Sequence, residues 1–411
     1  MLYPARAFLM NTGPVLAVIC ALFSPPATAE PQGSFENFIN RFETKAVNAG
    51  FSRQFYRDLT EGMTPDPTMP NLVASQPEFV TPIWEYIGQR VSEGRIAHGK
   101  SAFERNRPAF DRNTARFGVD PYVLAAIWGM ESDFGAVLNN QRLIKPIIRS
   151  LMTLVYYNRD RVADDEFELI NAMQLIRDFG WTNETLVGSW AGAIGHLQII
   201  ASGVVAHQTD GDGDGRVDVH NSLPDALATA STFLLALGYE PGLDWGYEVE
   251  VPDGFDYMIA TRNEMKRAGF FTGQGVTRVH GRQFTDLEQP VFLYVPAGVN
   301  GPKFLMTPNY LVLKAYNFSD SYALSMAHLT DRLKGAGPFA SAWPLGTRFP
   351  NREERVFIQQ RLNDLGFYDG EIDGRIGPIS QESYQRFQNS IGLLPDGFIT
   401  ADAVDLLRSA Q

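Results

Sequence analysis

The sequence predicts a mainly α chain of more than one domain, and three observations carry that prediction. Apolar residues recur at three- and four-residue steps, as in Phe38, Phe42 and Val47 and again in Ile83, Trp84 and Ile87. A chain of 411 residues is longer than one compact core usually supports. Residues 334–350 read KGAGPFASAWPLGTRFP, a run dense in Gly, Pro and Ala that predicts an interdomain linker.

Taken in order, residues 1–29 carry Arg6, an apolar run from Val15 to Phe23, and Ala27-Thr28-Ala29 before Glu30. That is the charged, apolar and small-residue succession of a removable export signal, too short for a confident membrane span. Cys20 lies inside this leader behind Ile19, where a lipidation signal wants a small residue, so a soluble exported protein is expected and not a lipoprotein. Helical periodicity fills Phe35 to Phe117, interrupted by Pro-rich punctuation at Thr64 to Pro70. Further helices are predicted after Asp120, from about Asp164 to Phe179, and from about Pro224 to Leu237. Val291–Val295 and Thr307–Leu313 are short apolar pieces that periodicity alone leaves as strand or helix. The last domain begins near Asn351 and contains an internal echo, in which LNDLGFYDGEIDGRIGP is answered by NSIGLLPDGFIT.

The composition excludes several functions. A net charge of −12 argues against general nucleic-acid binding, which rewards clustered Lys and Arg. Without its leader the chain has no cysteine, which removes disulfides, thiol nucleophiles and zinc-thiolate sites. The histidines at 98, 196, 207, 220, 280 and 328 lack the spacing of a zinc amidase, and neither G-x-S-x-G nor S-x-x-K occurs.

The segment VDPYVLAAIWGMESDFG reads as one helix, with Asp120 able to cap it, Pro121 suited to its first turn and Gly135 able to end it. Glu131 then sits in the last turn, on the same face as Ile127 and Leu124, so an apolar stripe ends in a carboxyl group. Burial and the negative end of the helix are expected to raise its pKa, which is the profile of a general acid. The alternative is a solvated glutamate closing a helix.

The run E-S-x-F-G at Glu131 to Gly135 resembles the catalytic glutamate motif of the B family of lytic murein transglycosylases, glycoside hydrolase family 103. GSWAGAIGHLQII, from Gly188 to Ile200, is similar to that family's G-S-x-A-G-A-x-G-x-x-Q segment in content and in distance from the glutamate. TPNYLVLKAYNFSDSYAL resembles its tyrosine-rich segment, with Tyr316, Asn317, Ser319 and Tyr322 in order and Tyr310 upstream. The resemblance implies a lysozyme-like catalytic domain in which Glu131 is catalytic and Ser189, Gln198, Tyr310, Tyr316 and Asn317 bind substrate. Gly188, Gly192 and Gly195 would let a saccharide approach the backbone, or else serve close packing. The chain departs from the family at Phe233 and in HLQII.

DGDGDGRVDVHNSLPD, from Asp210 to Asp225, sets Asp210, Asp212 and Asp214 at alternate positions with Gly215 at the turn, as EF-hand-like calcium loops do. Arg216 can add its carbonyl and Asp225 a late closing carboxylate, with Asp218 a nearer candidate, so a structural Ca2+ is expected and none for chemistry. At the C-terminus, VFIQQRLNDLGF, the D-G-x-x-G-P loop at Asp373 to Pro378 and ESYQRFQNSIGL resemble the small three-helix peptidoglycan-binding domain over residues 352–408.

The reading divides the chain into a leader at 1–29, a catalytic domain at 30–334, a linker at 335–350 and a peptidoglycan-binding domain at 351–411. Its implied partners are peptidoglycan glycan strands, with cell-wall assembly proteins left open. The implied reaction is cleavage of the MurNAc–GlcNAc bond to 1,6-anhydroMurNAc ends. Competing readings are a lysozyme-like hydrolase that uses Asp133 or another carboxylate with water, and a wall-binding scaffold with a dead catalytic domain.

Overall fold

A computed structural model of the chain describes residues 33–70, 81–140, 142–157, 162–259 and 261–410. Residues 1–29, where a leader is expected, and with them Cys20, lie outside the described residues. The molecule is mainly helical, as the periodicity predicts. The stretch up to Phe117 forms α1 (Phe35–Asn48), α2 (Arg53–Thr60), α3 (Ile83–Arg90) and α4 (Glu93–Phe117). Ser34 and Ser52 start the first two by accepting the N–H groups of Asn37 and Phe55.

Helix α5 (Pro121–Ser132) begins where Asp120 Oδ1 accepts the Tyr122 N–H at 2.8 Å. Every residue from Val123 to Gly129 is buried, so α5 is sheathed all round and not only along the stripe through Leu124 and Ile127. Then come α6 (Ile147–Tyr156), α7 (Val162–Phe179), α8 (Ala201–His207) and α9 (Leu223–Ala236). Between them runs a small antiparallel meander of β1 (Lys145–Pro146), β2 (Val187–Gly188), β3 (Ala193–Ile194) and β4 (Ile199–Ile200), in sequence order. Strands this short carry no alternation for a sequence reading to find.

A second antiparallel sheet has the order β6-β8-β9-β5-β7, made of β5 (Gly246–Glu250), β6 (Lys266–Arg267), β7 (Thr277–Arg278), β8 (Pro290–Tyr294) and β9 (Lys303–Met306). Helix α10 (Ala268–Gly273) follows β6, and Val249, Phe271, Val291, Leu293 and Leu305 are part of one core cluster. The two apolar pieces left open resolve differently. Val291–Tyr294 lies in β8, whereas Thr307 precedes α11 (Pro308–Asn317), with proline in its first turn. Helix α12 (Asp320–Lys334) is capped by Ser319 and ended by Gly335 at φ 100°.

The C-terminal helices are α13 (Arg352–Asp364), α14 (Pro378–Ser390) and α15 (Ala403–Ser409), closed over Ile358, Leu362, Tyr384, Phe387 and Leu407. Asn351 opens α13 with a capping box to Glu354.

The chain divides into two compact units. One comprises Met1–Ser75, Phe103–Phe117 and Ile127–Phe233; the other comprises Gln76–Ala102, Gly118–Ala126 and Leu234–Gln411. Residues 335–350 therefore lie inside the second unit and do not divide the two.

Candidate active site

Glu131 stands in the last turn of α5, half-buried, behind a helix that is buried from Val123 to Gly129. The next residues leave the helix abruptly. Asp133, Phe134 and Gly135 have φ of 50°, 57° and 84°, a left-handed run that costs on the order of 1 kcal/mol for each non-glycine member. Packing holds that run in place. The Phe134 ring folds back over Gly129, where a Cβ would meet Phe134 Cζ at 2.5 Å, and the Phe134 N–H donates to Trp128 O at 3.2 Å. Ser132 is 1 % exposed; its Oγ donates to His196 O at 2.7 Å and accepts the Gly135 N–H at 3.1 Å.

The segment Gly188 to Ile200 supplies two tight turns of the first sheet. Ser189 holds the first: its N–H donates to Ala193 O at 2.7 Å and its Oγ accepts the Ala193 N–H at 3.1 Å. Gln198 holds the second at φ 49°, with Nε2 donating to Gly195 O at 2.8 Å. The glycines answer to the protein's own backbone and side chains, which corrects the saccharide-approach reading. A Cβ on Gly195 would lie 1.9 Å from Val219 O, and one on Gly188 would lie 2.0 Å from Ala193 O. Trp128 Nε1 donates to His196 Nδ1 at 3.0 Å, and burial pushes the His196 imidazole down to about 4.

Tyr310, Tyr316 and Asn317 belong to α11 in the second unit. Tyr310 is fully buried and its hydroxyl donates to Asp320 Oδ1 at 3.0 Å, so it presents no face to a sugar and its expected substrate role is corrected. The real centre there is Asp320. Both its oxygens accept from Arg262 at 3.0 Å and Oδ2 accepts from Lys314 at 2.8 Å, and these cations hold its carboxyl well below the usual range despite burial. Sequence reading missed this cluster because Arg262 comes from a loop far upstream of α11. Tyr316 is buried to 9 % exposure at the end of α11. No donor among the described residues reaches the buried Oδ1 of Asn317, an acceptor of the kind a ligand can satisfy. Phe233, where the chain departs from the expected pattern, is buried with its ring 5.4 Å from that of His207.

Among the described residues, carboxylate oxygens of Asp210, Asp212 and Asp214 lie within 4.8 Å of one another, an all-oxygen donor set that fits a hard cation. The loop is preformed. Asp210 accepts the N–H groups of Gly213 and Gly215, which hold its carboxyl below the ordinary value, and Asp214 Oδ1 accepts the Arg216 N–H at 2.8 Å. Asp225 is not in that cluster. It is 2 % exposed and its two oxygens accept the N–H groups of Gly211 and Asp218, each at 2.8 Å, so it ties the ends of the loop where it was expected to close a coordination sphere.

Comparison with known proteins adds an independent line. The family model for the transglycosylase SLT domain matches residues 34–331, and that for a peptidoglycan binding domain matches residues 351–407. Membrane-bound lytic murein transglycosylase B of Escherichia coli K12 is 24 % identical over 314 residues, 72 % of this chain and 83 % of that protein. The crystal structure of SltB3 from Pseudomonas aeruginosa in complex with NAG-anhNAM-pentapeptide superposes with a TM-score of 0.85 at 34 % identity, covering 92 % of this chain and all of that one. The E. coli lytic transglycosylase Slt35 in complex with calcium shares the fold at a TM-score of 0.59 and 20 % identity, covering 79 % of this chain and 98 % of that one.

Proposed function

The chain belongs to the transglycosylase SLT domain family and is a lytic transglycosylase of peptidoglycan; from that premise we propose that it cleaves the β-1,4 bond between MurNAc and GlcNAc without water, with Glu131 as the single acid and base. Hydrolysing glycosidases use two carboxylates, one of them as nucleophile or base for water. In this reading the substrate takes the second role. Glu131 protonates the glycosidic oxygen as the C1–O bond breaks, and the MurNAc acetamido group stabilises C1. The ionised glutamate then accepts the proton of the C6 hydroxyl as O6 bonds to C1, which leaves a 1,6-anhydroMurNAc end and restores the acid.

The observation that carries this reading is the setting of Glu131: half-buried at the end of a buried helix, followed by the left-handed run from Asp133 to Gly135. Such an acid is preorganised, unlike a solvated residue at a fraying terminus. The SltB3 complexes with NAG-NAM-pentapeptide and NAG-anhNAM-pentapeptide support it, since one ligand carries an intact sugar and the other an anhydro sugar.

Ser189 is proposed to offer its hydroxyl proton to an acetamido or neighbouring group, since its oxygen already accepts from Ala193. Gln198, Tyr316 and Asn317 are proposed as further saccharide contacts, Asn317 through its buried Oδ1. Asp210, Asp212 and Asp214, with the Arg216 carbonyl, are proposed to hold a structural Ca2+. When bound it neutralises the cluster and stiffens the loop. The peptidoglycan-binding domain would keep the enzyme on the wall. Export by the leader at 1–29 would set the reaction in the periplasm; no described helix is long and apolar enough to cross a membrane.

The test is mass spectrometry of muropeptides released from sacculi, with Glu131→Gln beside the wild type. Anhydro ends made by the wild type alone are expected, and Glu131→Gln should still bind glycan nearly as well. Reducing ends would mean a hydrolase, with Asp133 the first candidate for its second carboxylate, and no release would mean a wall-binding protein.

A further inference from the structure

The end of α5 is held from one side by a single residue. His196 touches the three residues that bracket Glu131 along the chain: Trp128 one turn before it, Ser132 directly after it, and Gly135 at the close of the left-handed run. The Trp128 indole donates to His196 Nδ1 at 3.0 Å, the Ser132 hydroxyl donates to His196 O at 2.7 Å, and a Cβ on Gly135 would stand 3.1 Å from His196 Cε1. The Trp128 and His196 rings meet edge to face, 5.8 Å apart at 66°. His196 is itself anchored from behind, its N–H donating to Val219 O at 3.0 Å in the later part of the aspartate loop, between Asp214 and Asp225.

We propose that His196 is a positioning residue for Glu131, acting through Trp128 and Ser132 to hold the last turn of α5 in the one orientation that aims the carboxyl at the glycosidic oxygen; the inference rests on the reading of Glu131 as the acid. The physical case is the weakness of helix ends. The final turn has carbonyls without intrahelical partners and frays unless side chains or tertiary bonds secure it. Here the chain after the helix supplies part of the hold, with the Phe134 N–H on Trp128 O, and His196 adds two bonds to side chains near the end of α5.

The Ser132 bond goes to the main-chain carbonyl, which any residue at 196 supplies; the indole bond is the one that selects histidine. An indole N–H can only donate, so its partner must be an acceptor, and a neutral imidazole with its proton on Nε2 offers the Nδ1 lone pair at the right depth. A phenyl ring would fill the same space and satisfy the edge-to-face contact, but would leave the indole N–H unbonded. The bond therefore sets orientation, where shape alone sets packing. An error of about 1 Å in an acid can cost on the order of a hundredfold in rate.

The experiment measures kcat and KM on short soluble glycan strands for His196→Phe, His196→Gln, Trp128→Phe and the double variant His196→Phe/Trp128→Phe, with Glu131→Gln beside them and the melting temperature of each recorded. His196→Phe is expected to lose about tenfold or more in kcat with KM within about twofold. His196→Gln, whose Oε1 can accept the indole N–H, should recover most of the loss. Trp128→Phe should resemble His196→Phe, and the double variant should add little to either, the signature of one shared interaction. Wild-type kcat in His196→Phe, an equal change in kcat and KM, or a Gln variant no better than Phe at matched stability would each overturn the proposal. If His196→Phe does not fold, Trp128→Phe decides alone: a kcat unchanged there removes the bond from the mechanism. An active Glu131→Gln would instead overturn the reading on which the inference rests.

Discussion

Phe134 and Gln198 are non-glycine residues held at φ 57° and 49°, one shortly after Glu131 and the other closing the hairpin that carries His196. Strain of this kind persists only where surrounding contacts over-determine it, and it gathers at functional sites. Buried imidazoles are a second residue-scale feature. His196 and His328 are each pushed down to about 4 by burial, from an ordinary 6.5. Between those values the unfolded chain takes up protons that the folded chain refuses, so their stabilising effect is complete above pH 6.5 and is lost as the pH falls toward 4. Each histidine accounts for roughly 1 to 3 kcal/mol across that window. Asp331, raised to about 6 by burial, works oppositely and partly offsets them. Melting temperature should therefore fall by several degrees between about pH 7 and about pH 4.5, and less steeply in His328→Gln. Calorimetry across that range checks it; an equal slope in the variant would show that His328 is not among the groups responsible.

At the scale of elements, the internal echo of the last domain has a physical counterpart. Gln359 of α13 donates to Asp373 Oδ1 and accepts the Gly374 N–H; Gln388 of α14 donates to Asp396 Oδ1 and accepts the Gly397 N–H. One amide locks one Asp-Gly loop, twice, so the repeated sequence encodes a repeated bond. The aspartate loop of the first unit shows a comparable preorganisation, with Asp225 tying its ends and backbone N–H groups orienting the carboxylates. Ca2+ at about a hundredfold excess over its dissociation constant would stabilise the fold by about 2.7 kcal/mol, a rise of about 3 °C for a chain of this size. Asp214→Asn, which keeps an acceptor for the Arg216 N–H but loses a charge, should lose most of that rise. A melting temperature indifferent to Ca2+ in the wild type would dispose of the cation assignment.

For the molecule as a whole, the C-terminal helices are bonded into the second unit. Gln385 donates to Tyr257 O at 2.6 Å, the Val299 N–H donates to Asp396 Oδ2 at 3.2 Å, and the Phe398 ring lies 6.2 Å from that of Trp84. Deleting residues 351–411 would orphan these partners and expose Trp84. The truncated protein is expected to melt several degrees lower and to lose most of its binding to sacculi, while keeping turnover of short soluble glycans. An unchanged melting temperature, read by calorimetry, would mean that the docking contributes nothing; unchanged pelleting with sacculi would mean that the wall is held elsewhere.

The sequence alone determined what local chemistry can write. The capped helix that ends at Glu131, the alternating aspartates, the Asp-Gly loops and the predominance of helix all rest on residues close together in the chain. Tertiary structure decided what distant residues share. The two-residue strands around Ser189 and Gln198 exist only through pairing, and the five-stranded sheet joins segments from Gly246 to Met306. Tyr310 became a core residue because Arg262 and Asp320 converge on its surroundings, and Asp225 became a loop tie because the loop folds back onto the start of α9. The contact of His196 with the glutamate helix spans 64 residues from Ser132. Periodicity reports the face a residue shows to its own helix, whereas such contacts depend on where the rest of the chain comes to lie.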